Sequence, residues 1–227
     1  MPLPGSSSPC PVSGAIHGVM QQLSESRLIA IIRMDCAETA LWGAQTLLQS
    51  GIRALEVTWT VPDAAAIVRQ LVAEFPQACI GAGTIRSHAH IKQAQAAGAQ
   101  FLVCPMLDTT LLETAQQEET LLLPGVMSPT ELHQAVVAGA AAVKLFPTGL
   151  LGGASFLKAL RGPFPEVAIV PTGNITLTDV APLLKAGAMA VGVGGDLFPE
   201  RQELLQRNPQ AICERVGAYL AAAACNP

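Results

Sequence analysis

Charged side chains are scarce in this sequence of 227 residues, of which 13% are charged and 50% are hydrophobic. So little charge argues against a disordered chain and favours a compact fold with many buried segments. The formal net charge of −4 leaves no basic surface for nucleic acid. No uninterrupted apolar run reaches the roughly 18 residues of a membrane span, so we expect no transmembrane helix and no membrane partner.

Metal-binding and targeting motifs are also missing. The six cysteines show no Cys-x-x-Cys spacing, which favours reduced thiols in a cytoplasmic protein, with Cys79 and Cys104 in the core. His88 and His90 begin a predicted helix two residues apart and do not share a face, so we predict neither a metal site nor a cofactor. Residues 1–14 lack the basic start and apolar core of a signal peptide. We predict that they form a flexible tail before a single domain, residues 15–227.

Eight short apolar runs alternate with helical segments along the rest of the chain. The runs are near 28–33, 53–58, 79–84, 100–104, 120–124, 141–146, 167–172 and 189–193. This alternation is typical of an α/β protein with a parallel sheet, and eight units in roughly 200 residues predict a single-domain (β/α)8 TIM barrel. A helix over residues 15–25 is expected to cover the bottom of the barrel.

The sequence contains an internal repeat. Gly51, Gly98, Gly139 and Gly187 precede the second, fourth, sixth and eighth predicted strands, where glycine is the expected residue after a helix. Gly51 and Gly139 are 88 positions apart, and Gly98 and Gly187 are 89 apart. We infer two similar half-barrels of four strand–helix units each.

Two charged residues interrupt predicted strands at equivalent positions of this repeat. Glu56 follows Gly51 by five residues, and Lys144 follows Gly139 by five. Strands two and six face each other in a ring of eight, so the two side chains are expected to converge inside the barrel. A buried, neutral lysine is a nucleophile for ketones, and a carboxylate beside it transfers protons. The alternative is a buried ion pair without chemistry, which would add little net stability.

Seven motifs resemble, in order, those of the class I aldolases that act on 2-keto-3-deoxy-6-phosphogluconate and 4-hydroxy-2-oxoglutarate. They are LIAIIR (28–33), LEVT (55–58), GAGT (81–84), LPG (123–125), VKLFP (143–147), PTG (171–173) and GVGG (192–195). The resemblance covers about residues 20–200. It implies a lyase of the Entner–Doudoroff pathway that forms a Schiff base between Lys144 and a small 2-keto acid and releases pyruvate. Glu56 would transfer protons, and a homotrimer is expected.

The resemblance also suggests substrate contacts. Arg33 would hold the keto acid carboxylate, with Thr84 donating its hydroxyl to the same group; otherwise Arg33 would be a surface residue and Thr84 a helix N-cap. Pro105 and Phe146 would form an apolar wall beside the pyruvyl methyl group. The phosphate would bind after the seventh and eighth predicted strands, at Thr172, Gly173, Gly194 and Gly195.

Three positions depart from the family pattern. Thr60 stands where many members carry a substrate-binding arginine, and we expect Arg33 to take over that role, as an arginine in its place does in the related phosphogalactonate aldolases. Asn174 replaces a family glycine. Asp196 adds negative charge beside the expected phosphate site, unless it serves as a helix N-cap.

These departures leave alternatives open. One is a 2-keto-3-deoxy-6-phosphogalactonate aldolase, and another is an oxaloacetate decarboxylase that uses the same lysine. A barrel that binds keto acids without catalysis is a third. A metal-dependent aldolase is the least favoured, since the sequence shows no ligand set for a metal.

Overall fold

The computed structural model describes residues 14–199 and 207–224. Residues 1–13 of the expected tail lie outside this range, and the first helix begins at Gly14. The strands are β1 (Leu28–Ile32), β2 (Ala54–Thr58), β3 (Cys79–Gly83), β4 (Phe101–Val103), β5 (Leu121–Leu123), β6 (Gly125–Val126), β7 (Ala142–Leu145), β8 (Ala168–Pro171) and β9 (Val191–Val193). The helices are α1 (Gly14–Ser26), α2 (Ala37–Gln49), α3 (Ala64–Glu74), α4 (His88–Ala96), α5 (Thr109–Gln117), α6 (Pro129–Val137), α7 (Gly153–Arg161), α8 (Leu177–Lys185) and α9 (Pro209–Ala224).

The strands pair in parallel and form two sheets. One has six strands in the order β5-β4-β3-β2-β1-β9, and the other has three in the order β6-β7-β8. The predicted strand at 120–124 is divided by Pro124, because proline has no N–H to donate to the ladder. β5 pairs with β4, whereas β6 pairs with β7. The predicted α/β fold with parallel strands is confirmed, with this division of the fifth strand as the correction.

The apolar core has an inner and an outer layer. The inner cluster joins residues of both sheets, including Ile29, Ala54, Ala142 and Val170, to Leu23 of α1. Leu23 is fully buried there, so α1 covers the N-terminal ends of strands, as predicted. The outer cluster lies between the strands and the helices, and it includes residues that alternate with the inner ones along β2 and β7.

The repeated glycines have the backbone conformation that the repeat predicts. Gly51, Gly98, Gly139 and Gly187 follow α2, α4, α6 and α8 with φ angles of 107°, 88°, 84° and 96°. A side chain at these angles would be strained, which explains glycine at each of these helix ends.

Two further findings concern the described part of the chain. None of its helices combines the length and the apolar character needed to cross a membrane. Cys79 and Cys104 are buried, free thiols, as predicted.

Candidate active site

Glu56 and Lys144 face the same interior space. Two residues before them, Ala54 on β2 and Ala142 on β7 belong to the inner apolar cluster, and side chains two apart on a strand share a face. Glu56 is 2% exposed and Lys144 is 5% exposed. The structure therefore buries one acid and one amine on the inner faces of the two sheets.

Burial sets the proton affinity of Glu56. It raises the pKa of this carboxyl group, and the positive charges of Lys144 and Arg33 oppose the rise only in part. The Oε1 atom is buried and has no hydrogen-bond partner among the described residues. Such an oxygen is costly to bury without a partner, so it is suited to interact with a ligand or a water molecule. The raised pKa is closer to neutral pH than that of an ordinary carboxyl group. A group that both accepts and returns a proton works best when its pKa is near the working pH.

The glycines of β3 make room for interior side chains. A methyl group on Gly83 would overlap the Glu56 carboxyl group and would lie 2.6 Å from its Cγ atom. A methyl group on Gly81 would lie 2.5 Å from the Phe101 ring. The two glycines of β3 therefore leave space for the Glu56 and Phe101 side chains.

Phe146 lies beside Lys144, and Pro105 packs against the neighbouring strand. The Lys144 Nζ atom is 5.0 Å from the centre of the Phe146 ring, which is 38% exposed. On the neighbouring strand the register partner of Lys144 is Gly125, and a methyl group there would run into the Pro105 backbone. Lys144 therefore lies beside the Phe146 ring and next to Gly125, which packs closely against Pro105.

Arg33 is held by two threonines at the ends of neighbouring strands. Its guanidinium donates to Thr60 Oγ1 at 3.2 Å and to Thr84 Oγ1 at 3.0 Å. The alternative role for Thr84 as a helix N-cap is wrong, because α4 is capped by Ser87, whose hydroxyl accepts from the His90 N–H. Arg33 itself is exposed, whereas Thr84 is buried. The arginine is thus fixed in place while it remains accessible to a ligand.

A third threonine extends this network. Thr58 Oγ1 donates to the Ile32 carbonyl at 2.9 Å and lies 3.0 Å from Thr60 Oγ1. A hydroxyl has only one hydrogen to donate, so Thr60 is the donor to Thr58. Sequence reasoning missed this role of Thr58 and Thr60, because hydroxyl contacts between different strands leave no pattern along the chain.

The expected phosphate site lies where β8 and β9 end. Thr172 and Gly192 form a bridge between these two strand ends, and Thr172 is 5% exposed. Gly173 has a φ of 90°, and a methyl group on it would lie 2.7 Å from the Phe146 ring. Because all the strands are parallel, this turn and Gly194–Gly195 after β9 open on the same side as Arg33 and Phe146.

Asp196 does not act as a helix N-cap. It lies in a short 3-10 turn, Gly195–Leu197, which has no side-chain cap. Its carboxylate accepts a hydrogen bond from the Tyr219 hydroxyl of α9, 23 positions later in the chain. Sequence reasoning missed Tyr219; its only signal was its place as the sole tyrosine of the sequence, in the closing helix.

Metal ligands do not cluster in the described residues, where no three His, Cys, Asp or Glu side chains are arranged to hold a metal ion.

Comparisons with known proteins point to one family. A family profile described as KDPG and KHG aldolase matches residues 19–215. The 2-dehydro-3-deoxy-phosphogluconate aldolase of Pseudomonas aeruginosa is 37% identical over 193 residues, which cover 85% of this chain and 86% of that protein. The KHG/KDPG aldolase of Escherichia coli K12 is 34% identical over 154 residues, 68% of this chain and 72% of that protein.

A solved structure shows the same fold. The KDPG aldolase of Legionella pneumophila, captured with pyruvate as a covalent carbinolamine intermediate, has a TM-score of 0.79 and 34% identity. The match covers 87% of this chain and 96% of the Legionella chain. The chain therefore belongs to the KDPG and KHG aldolase family.

Proposed function

We propose that this protein is a class I aldolase that cleaves 2-keto-3-deoxy-6-phosphogluconate (KDPG), 4-hydroxy-2-oxoglutarate (KHG) or both, and releases pyruvate. The observation that carries the proposal is the burial of Lys144 and Glu56 toward one interior space, within a chain of the KDPG and KHG aldolase family. A covalent carbinolamine of pyruvate in the Legionella relative supports an amine nucleophile. The aldehyde product is glyceraldehyde 3-phosphate from KDPG and glyoxylate from KHG.

The first half of the reaction forms an imine. The Lys144 amine attacks the C2 ketone of the substrate, and the resulting carbinolamine loses water to give a protonated imine. Glu56 supplies the proton that the departing hydroxyl group needs. Its raised pKa suits it to this step, because a carboxyl with an ordinary pKa would be almost fully ionised at neutral pH.

The second half breaks the carbon–carbon bond. Glu56, now ionised, takes the proton of the C4 hydroxyl directly or through a water molecule. The C3–C4 electron pair moves toward the imine nitrogen, the aldehyde leaves, and an enamine remains on Lys144. Protonation of the enamine at C3 followed by hydrolysis releases pyruvate and regenerates the amine.

The carboxylate end of the substrate is assigned to Arg33 and Thr84. Arg33 is held by Thr60 and Thr84, and an arginine fork binds a carboxylate through paired hydrogen bonds. Pro105 and Phe146 would face the pyruvyl methyl group, since Phe146 lies beside Lys144 and Pro105 packs against Gly125, the register partner of Lys144. No cofactor or metal enters this mechanism.

The far end of the substrate is assigned to the turns after β8 and β9. Thr172, Gly173, Gly194 and Gly195 would line the phosphate site, and the backbone N–H groups of the three glycines would bind the phosphate. The Thr172 N–H already donates to the Leu145 carbonyl at 2.9 Å. The positive φ of Gly173 and the bridge from Thr172 to β9 support a preformed, narrow turn here.

Borohydride trapping tests the central assignment. The parent protein mixed with pyruvate and borohydride should gain a covalent adduct on Lys144, and Lys144→Ala should lose it. Lys92→Ala, which removes an exposed lysine of α4, is the matched control and should still be trapped. Adduct formation by the Lys144→Ala variant would remove Lys144 from this role.

The arginine network favours one alternative substrate enough to test it. Because Arg33 contacts Thr60, where many family members carry the substrate-binding arginine, 2-keto-3-deoxy-6-phosphogalactonate is a second candidate. Comparing kcat/KM for this compound, KDPG, KHG and oxaloacetate decides among the lyase and decarboxylase alternatives. If no phosphorylated sugar acid has the highest value, the phosphate assignment at Gly173 and Gly195 is wrong.

We also propose that the two sheets close into one (β/α)8 barrel. Pro124 alone separates β5 from β6, and its carbonyl accepts from the Lys144 N–H at 2.9 Å. At the other junction Thr172 bridges to Gly192, and the Met189 N–H donates to the Ile169 carbonyl at 2.9 Å. Both gaps between the sheets are therefore spanned by backbone hydrogen bonding.

Assembly and location complete the proposal. We propose a homotrimer because the resemblance to the family implies it; Met127 (48% exposed), Val137 (73%) and Leu150 (71%) are large apolar side chains on the surface that an interface would cover. Light scattering after size-exclusion chromatography would measure the mass of the assembly. A cytoplasmic location is supported by the four free cysteines among the described residues.

A further inference from the structure

The turn after β9 is fastened to the last helix at two points. The Tyr219 hydroxyl donates to the Asp196 carboxylate, and the Arg215 guanidinium donates to the Asp196 carbonyl at 3.1 Å. Arg215 and Tyr219 are four residues apart on α9, so they lie on the same side of the helix. One residue of the turn is thus held through both its side chain and its backbone.

Tyr219 is itself held firmly. It is 1% exposed and belongs to the apolar cluster between the strands and the helices, together with Ile212 and Val216 of the same helix. Burial and the neighbouring Asp196 raise the pKa of Tyr219, so its hydroxyl remains a donor across the range in which proteins are studied. The position of the Asp196 carboxylate is therefore set by the packed core, although Asp196 lies on the surface.

The direction of this hydrogen bond matters for charge. Asp196 directly follows Gly194–Gly195, where the distal phosphate of the substrate is proposed to bind. A free carboxylate there would repel a phosphate dianion. Because Tyr219 belongs to the outer cluster, its hydrogen bond draws the carboxylate toward the helix layer and away from the inner faces of the strands.

We propose that Tyr219 and Arg215 are positioning residues for the distal phosphate: they shape the Gly194–Gly195–Asp196 turn and hold the Asp196 carboxylate away from the anion. This inference rests on the proposed function. It makes α9 part of substrate recognition, although α9 supplies none of the residues assigned to contact the substrate. It also accounts for an aspartate beside an anion site, which the sequence alone left unexplained.

The test compares Tyr219→Phe, Asp196→Asn and the double variant with the parent. Tyr219→Phe keeps the buried ring and removes only the hydroxyl. It should raise KM for KDPG about threefold to fivefold, the upper end of what an exposed charge contact contributes, with little change in kcat. In the double variant the freed side chain carries no charge, so KM should return to within about twofold of the parent value.

Borohydride trapping with pyruvate measures imine formation without any contribution from the phosphate site. Pyruvate has no distal group, so the rate of borohydride trapping with pyruvate should be the same in the parent and all three variants. Arg207→Gln is the control near the start of α9, because it breaks an exposed ion pair with Glu38 (2.7 Å) and leaves the turn intact. It should leave both KM and trapping unchanged.

The possible results separate the two proposals. If KM is unchanged in Tyr219→Phe, the inference is wrong but the proposed function stands. The same conclusion follows if KM rises in Tyr219→Phe and stays raised in the double variant. If the parent cleaves KDPG no better than its analogue without phosphate, the distal site itself is wrong and the inference fails with it. Absence of pyruvate trapping in the parent would instead refute the proposed Schiff-base function.

Discussion

Replacing Gly83 by alanine should separate Glu56 from the reaction without touching Glu56 itself. The added methyl group would lie 2.6 Å from Glu56 Cγ, where an ordinary contact is 3.4–4 Å, and it would overlap the carboxyl group. Gly83 is a strand residue without a positive φ, so alanine fits its backbone. The Glu56 side chain must therefore move, and its carboxyl group must shift by about 1 Å or more.

The expected loss of activity follows from that shift. A misplacement of about 1 Å in an active site costs roughly 100-fold in rate, and complete loss of a general acid–base group costs about 10² to 10⁴-fold. We expect kcat for KDPG cleavage to fall within this range. Lys144 keeps its place on β7, so borohydride should still trap pyruvate on it, at a lower rate.

Matched variants make the result interpretable. Gly217→Ala makes the same substitution on α9, where a methyl group meets nothing within 4 Å, and its kcat should equal that of the parent. Glu56→Gln should reproduce the Gly83→Ala defect, and combining the two should add little, because both remove the same proton transfer. A folded Gly83→Ala protein with kcat within threefold of the parent would refute the reasoning.

Three further predictions concern Arg33 and Glu56. Thr60→Val removes one of the two anchors of Arg33 (3.2 Å) and should raise KM several-fold for all 2-keto acids, with kcat less affected; equal KM values in steady-state assays would contradict this. Because imine formation needs the Glu56 proton and burial raises the pKa of this group, kcat/KM should fall on the alkaline side of its pH profile as Glu56 becomes ionised, with an apparent pKa above the ordinary 4.5. Because the pKa of Glu56 is raised in the folded state, the free energy of unfolding should decrease as pH rises from about 4.5 through the folded-state pKa. Glutamine cannot ionise, so Glu56→Gln should resist urea better than the parent at neutral pH. That advantage should disappear near pH 4, where Glu56 is protonated in both states, and an advantage that does not change with pH would rule out this cause.

The placement of Glu56 and Lys144 could be predicted because it depends on local patterns. Alternation along β2 and β7 assigns their faces, and the glycines after α2 and α6 set the register between the repeats. These signals lie within a few residues of each charge. A single sequence is sufficient to recognise them.

The interactions that the sequence did not reveal join distant segments. Tyr219 and Asp196 are 23 positions apart, and Arg33 and Thr84 are 51 apart, so neither pair leaves a periodic trace. Pro124 is visible in the sequence, but the apolar run before it predicts one strand that includes it, although proline cannot donate to a ladder. That Gly83 leaves space for the Glu56 side chain could not be predicted from the sequence, because a glycine in a strand can equally mark a bulge or a sharp bend.

The hydrogen bonds around Arg33 also determine which hydroxyl hydrogens face a ligand. Arg33 donates to Thr60, Thr60 donates to Thr58, and Thr58 donates to the Ile32 carbonyl, so the hydrogens of both threonines are committed to protein oxygens. Thr84 only accepts within this network, and its own hydrogen has no acceptor among the described residues. A substrate carboxylate would therefore find one threonine hydroxyl able to donate to it, that of Thr84, so replacing Thr84 by valine would remove a donor to the ligand that replacing Thr60 would not.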